Sequence, residues 1–258
     1  VSFVVAVLVL KKPNQWKNEI SPSKVQDKMG TLEQAIKINP HDANAHYNLG
    51  TAYCELGCYQ KAIEAFRQAV RISPNHADIY YNLGIACSKL GRYQEAIYAY
   101  KNAIRVRPDY AKAHISLGIA HGELGCYQEE VAAYKQAITI LPDDADAYCR
   151  LGVAYHKLSC YDEAIDAYKQ AIKIRPDYAK AYSNLGVAYG ELGNYQDEVA
   201  AYKQAITIAP DDANAYYSLG IHYCKFDSYP EAIEAFRQAI RLKPAFADAH
   251  YNLGVAYL

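Results

Sequence analysis

A Leu-Gly pair recurs every 34 residues, and that period constrains the fold more than any other feature of the chain. The pairs are Leu49-Gly50, Leu83-Gly84, Leu117-Gly118, Leu151-Gly152, Leu185-Gly186, Leu219-Gly220 and Leu253-Gly254. A fixed period of this length marks a stack of supersecondary units, each unable to bury its apolar face alone. Six full repeats occupy 43–246, starting at Ala43, Ala77, Ala111, Ala145, Ala179 and Ala213. A half repeat occupies 30–42 and another 247–258. Residues 1–29 fall outside the pattern as an apolar and linker segment.

Each repeat reads as two helices. In the fourth, Tyr148, Leu151, Gly152 and Tyr155 share one helical face, and Leu158-Ser159-Cys160 is a turn. Tyr161, Ala164, Ile165, Tyr168, Ala171 and Ile172 then form a second face. Pro176 stops the second helix, because proline has no N–H and clashes with the preceding turn. Pro40, Pro74, Pro108, Pro142, Pro210 and Pro244 do the same elsewhere, whereas Pro230 falls near a first helical turn, where a missing donor costs little. The aromatic stripes at this spacing are core, which accounts for most of the 26 tyrosines.

These residues resemble the tetratricopeptide repeat family. The first repeat carries the signature as His46 (in place of the usual Trp or Tyr), Leu49, Gly50, Tyr53, Ala62, Phe66, Ala69 and Pro74. The resemblance covers about 30–258. It implies an all-α, right-handed superhelical solenoid, with the first (A) helices lining the concave side and the second (B) helices the convex side. It also implies a partner that is a protein or peptide.

A second level of repetition runs over two repeats. The third and fifth repeats agree at 26 of 34 positions, the third and fourth at 18. Glu130 and Glu198 both replace the usual small Ala, and a glutamate there must reach solvent or find a partner, since a lone buried charge is very costly.

Family geometry places the second, fifth, sixth, ninth, twelfth and thirteenth residues of each repeat on the concave side. The sixth position reads Asn48, Asn82, Ser116, Arg150, Asn184, Ser218, Asn252. Asparagine offers a donor and an acceptor to a peptide main chain. The row is similar to the asparagine ladder of O-linked N-acetylglucosamine transferases, broken here at Ser116, Arg150 and Ser218. The ninth position (Thr51, Ile85, Ile119, Val153, Val187, Ile221, Val255) reads as an apolar floor. Lys112, Arg150 and Lys180 are candidates for a small basic centre suited to an acidic side chain. The thirteenth position alternates Glu55, Lys89, Glu123, Lys157, Glu191, Lys225, which reads first as inter-repeat ion pairing. Some family members clamp a C-terminal carboxylate with Lys and Asn. Here the fifth position has no Lys and the ninth no Asn, so that clamp is not expected.

Net charge is -1, with 21 % charged residues, which argues against a nucleic-acid partner. The seven cysteines include no CxxC, and no metal or other cofactor is expected. No phosphate loop or nucleophile–base–acid set can be assigned, so neither catalysis nor a small-molecule substrate is expected. Free thiols fit a reducing compartment, hence the cytoplasm. Residues 1–10, VSFVVAVLVL, are too few to span a bilayer, which needs roughly 20. They read either as the tail of a membrane anchor or as sequence upstream of a start at Met29. They and the array ends are also candidate self-association surfaces. The expected function is a protein-interaction scaffold; the alternatives are the substrate-recognition arm of a larger enzyme, such as a glycosyltransferase, and a membrane-tethered assembly factor.

Overall fold

The computed structural model describes residues 22–258, with side chains from Met29 onward. The apolar stretch 1–10, with its anchor and self-association readings, lies outside the described residues. Among the described residues there are fourteen helices and no strand. The first, α1 (Pro22–Ile38), is a B-type helix. It begins eight residues before the boundary that the repeat pattern suggests, with proline at a position where the missing N–H is tolerated.

Six A/B pairs follow. They are α2 (Ala43–Glu55) with α3 (Tyr59–Ile72), α4 (Ala77–Lys89) with α5 (Tyr93–Val106), and α6 (Ala111–Glu123) with α7 (Tyr127–Ile140). Then come α8 (Ala145–Lys157) with α9 (Tyr161–Ile174), α10 (Ala179–Glu191) with α11 (Tyr195–Ile208), and α12 (Ala213–Lys225) with α13 (Tyr229–Leu242). A further A helix, α14 (Ala247–Ala256), follows. Each helix packs on its neighbours in sequence, the one-dimensional arrangement of a solenoid.

The Leu-Gly period has a steric cause. A Cβ on Gly152 would lie 2.5 Å from the ring of Tyr168, and one on Gly186 would lie 2.8 Å from the ring of Tyr202. The ring of the B helix therefore lies against the bare backbone of its own A helix. Phe66, Tyr134, Tyr168 and Phe236 are among the most deeply buried side chains, each burial worth about 1.5–3 kcal/mol. Helix starts are fixed by local hydrogen bonds. Asp42, Asp144 and Asp212 cap α2, α8 and α12 by accepting from backbone amides of the first turn. His46, His114 and His250 fill the family's aromatic position, and each ring Nε2 meets the carbonyl of Pro40, Pro108 or Pro244 at 2.9–3.1 Å. The histidine departure from Trp or Tyr thus keeps the ring and ties it to the preceding loop.

The seven cysteines are free thiols. Burial pushes the Cys54 and Cys87 thiols up to about 11, which favours the protonated form at neutral pH. Among the described residues no helix is long and apolar enough to cross a membrane.

Candidate functional site

The A helices present one stripe built from the sixth, ninth, twelfth and thirteenth positions of each repeat. At the fifth and sixth repeats Val187, Gly190, Glu191, Ile221 and Lys225 from α10 and α12 share a cavity of about 210 Å³ with Glu198 and Tyr202 of α11. Ninth-position residues are half-buried at Ile85, Ile119, Val153 and Val187, and open further at Ile221 and Val255. Ile85, Ile119 and Val153 pack against the buried clusters with part of their surface, so only the remainder of each faces outward.

The asparagine row is more occupied than its sequence suggests. Asn82 Nδ2 donates to the hydroxyl of Tyr47 and to the carbonyl of Asp78, both at 3.0 Å. Asn252 repeats this with Tyr217 and Asp248. Asn184 donates to Cys149 Sγ at 3.8 Å. The donor half of the amide thus links each repeat to the fifth position of the one before. What Asn82, Asn184 and Asn252 can offer a ligand is chiefly the Oδ1 acceptor, while Asn48 is exposed.

Lys112 and Lys180 are exposed, but Arg150 is not a free cation. It lies beside the hydroxyl of Tyr134 and the carboxylate of Glu130. Glu130 also meets Lys157 Nζ at 3.4 Å, and Lys157 sits 4.9 Å from the ring centroid of Tyr127. Glu130 is 4 % exposed. Burial raises its carboxyl above the ordinary value, and Lys157, Tyr134 and Arg150 offset part of that rise. The thirteenth-position Lys157 therefore makes an inter-repeat ion pair, but with a B-helix glutamate and not with its alternating neighbours. Lys225 reaches the ring of Tyr195 at 4.7 Å.

The two buried glutamates come with a compensation that sequence reasoning missed. Gly122 and Gly190 stand at the twelfth position only in the repeats that carry Glu130 and Glu198. A Cβ on Gly122 would lie 2.6 Å from a Glu130 carboxylate oxygen, and one on Gly190 2.8 Å from Glu198. Glycine makes room for the carboxylate. The signal was legible, because glycine occupies that position in no other complete repeat.

Glu198 has a second partner in place of Lys157. His222 Nδ1 lies 2.8 Å from Glu198 Oε2, and both residues are buried. A carboxylate can only accept, so Nδ1 carries the hydrogen. His222 stands where the six other A helices have Ala, at Ala52, Ala86, Ala120, Ala154, Ala188 and Ala256.

Comparison with known proteins addresses the repeat itself. Models of the tetratricopeptide repeat match residues 41–109 and 179–212, and a TPR repeat model matches 123–159, 160–193 and 223–258. The chain belongs to the tetratricopeptide repeat family. A search of curated protein sequences found no match. Among solved structures, this tetratricopeptide array is similar to the C-terminal part of a TPR repeat-containing protein from Cytophaga hutchinsonii. The two share 16% identity over 89% of this chain and 94% of that one, with a TM-score of 0.75. It also resembles MamA, at 28% identity over 64% of this chain and 97% of that one, with a TM-score of 0.60. A chain of the APC/C hetero-tetramer Cut9–Hcn1 matches at 18% identity and a TM-score of 0.64, over 95% of this chain and 50% of that one. The array thus spans half the length of that relative.

Proposed function

We propose that this chain is a scaffold that binds a peptide or partner protein along the A-helix stripe. The observation that carries the reading is the apolar floor of Ile85, Ile119, Val153, Val187 and Ile221, left partly open by the neighbouring helices and flanked by amide acceptors. A contiguous apolar strip rimmed by polar groups is the usual mark of an interaction surface. The free Oδ1 atoms of Asn82 and Asn184 can accept from main-chain N–H groups of an extended ligand. Exposed Lys112 and Lys180 would favour acidic residues at the rim.

The test charges the floor. The whole chain is used as bait, and the captured proteins are compared with those captured by Ile119→Asp/Val153→Asp. Loss of a partner from the floor variant, with retention by Lys203→Ala on exposed α11 surface, supports the groove. A partner that ignores the floor change and responds to the Lys203 change would move the site to the B helices. Helical content must match among the three proteins, since Asp at a half-buried position also loads the fold.

A further inference from the structure

The buried glutamates at the third–fourth and fifth–sixth junctions sit in the same frame but have different neighbours. At the first, Glu130 has the Arg150 guanidinium, the Tyr134 hydroxyl and Lys157 beside it. One buried carboxylate, Glu130 of α7, thus has two cations near it, Lys157 and Arg150 of α8. At the second, the sixth-position residue is Ser218, which sits at the hydroxyl of Tyr202. Tyr202 and Glu198, the counterparts of the hydroxyl that Arg150 bonds and the carboxylate near it, line the 210 Å³ cavity instead. Ser218 is five heavy atoms shorter than arginine, and it bonds Tyr202, which lines the cavity.

The charge count points the same way. Glu191 and Glu198 line the cavity against Lys225, with the His222 imidazole as a donor to one oxygen of Glu198. Two carboxylates and one ammonium therefore line the cavity. Lys225 is turned toward the ring of Tyr195. Val187 and Ile221 supply apolar walls for a methylene stem, as long cationic side chains require.

We propose that this cavity is a subsite for an arginine side chain of the partner, which supplies in trans the guanidinium that Arg150 supplies internally two repeats earlier. The planar fork can meet the Glu198 and Glu191 carboxylates together, which an ammonium cannot match. The assignment rests on the groove reading only in taking the arginine to belong to a groove-bound partner. The cavity chemistry stands apart from it.

The experiment titrates the whole chain with N-acetyl-arginine methylamide, reading amide chemical shifts of α10–α12. The citrulline counterpart has the same shape without the charge, and should bind about tenfold more weakly or worse. Ser218→Arg installs the fourth-repeat residue, fills the cavity and should abolish probe binding. Glu198→Ala restores the small residue found at Ala62, Ala96, Ala164 and Ala232, and should abolish it too. Arg150→Ser should create a second binding event at α6–α8. If Ser218→Arg misfolds beside His222, the double variant with His222→Ala reproduces the fourth-repeat combination. The proposal is overturned if arginine and citrulline bind alike, if the lysine counterpart binds as well as arginine, if Ser218→Arg or the double variant leaves binding unchanged, or if no shift appears at a probe concentration of tens of millimolar. Failure of the Ile119/Val153 test with success here would remove the extended groove and keep the subsite.

Discussion

Two residues that look unrelated in sequence, Gly122 and Glu130, act as one unit. Glu130 is buried and ion-paired to Lys157, so it cannot swing away from a new methyl group without giving up its partner. Gly122→Ala should therefore destabilise by about 1–3 kcal/mol through overpacking, more than the roughly 1 kcal/mol that Ala gains over Gly in a helix. With Glu130→Ala already in place the obstruction is gone. The same Gly122→Ala change should then stabilise by about 1 kcal/mol. Urea melts of the four proteins give the cycle, and an effect of the same sign in both backgrounds would refute the coupling. Among single residues the sequence was a mixed guide. The aromatic and Leu-Gly positions were legible because their spacing states their partners. The donors of Asn82 and Asn252 were not, because their acceptors, Tyr47 and Tyr217, lie 35 residues away on the preceding helix.

At the scale of elements, the even-numbered second and fourth repeats close with a clasp between the loop after the B helix and the start of their own A helix. Arg107 and Tyr110 both bond Asp78, the arginine at 2.8 Å. Arg175 and Tyr178 bond Asp146 in the same way, at 3.0 and 2.5 Å. Each guanidinium also lies over the tyrosine ring beside it, 4.5 Å from the centroid. Burial pushes the two aspartates up, but the bonds from arginine and tyrosine outweigh it and hold both below the ordinary 3.8. A depressed carboxyl adds stability above the unfolded-state value and loses it as pH falls through the folded one. Thermal melts should show that loss below about pH 4, and Arg107→Ala with Arg175→Ala should shrink it. Added salt should also weaken the contribution, because these side chains are partly exposed. An unchanged acid limb in the double variant would show that the clasps contribute nothing to it. The helix pairs and their turns were readable from periodicity, proline and capping aspartates. The clasp was not, since the RPDYAKA loops give no sign of which aspartate they reach.

Across the whole molecule the array is not uniform. Each other joint between complete repeats is crossed by a cluster of buried apolar side chains: Ala69 with Ile79, Ala103 with Ala113, Val131 with Leu151, Ala171 with Ala181. None crosses from α11 to α12, which is also the most sparsely packed joint. Its place is held by Glu198 with His222, and by the edge contact of Tyr195 with Phe226 at 4.5 Å. A buried pair of this kind contributes less than the apolar contact it replaces. Amide hydrogens of α12–α14 should exchange before those of α4–α9 as denaturant is raised, and Glu198→Ala/His222→Ala should bring the two sets together. Uniform exchange along the wild-type chain would count against a weak joint. The sequence announced the long stack but not this break, because a single Ala-to-His change leaves the period intact. One consequence is mechanical. A solenoid held at its two ends carries tension in series, every interface bearing the same load, so rupture begins where cohesion is least. Stretched between two attachment points, this molecule would first shed its last one and a half repeats, α12–α14, as one discrete extension at low force. Only at higher force would the remainder unravel, which would make the array a two-stage spring with its soft stage beside the arginine subsite.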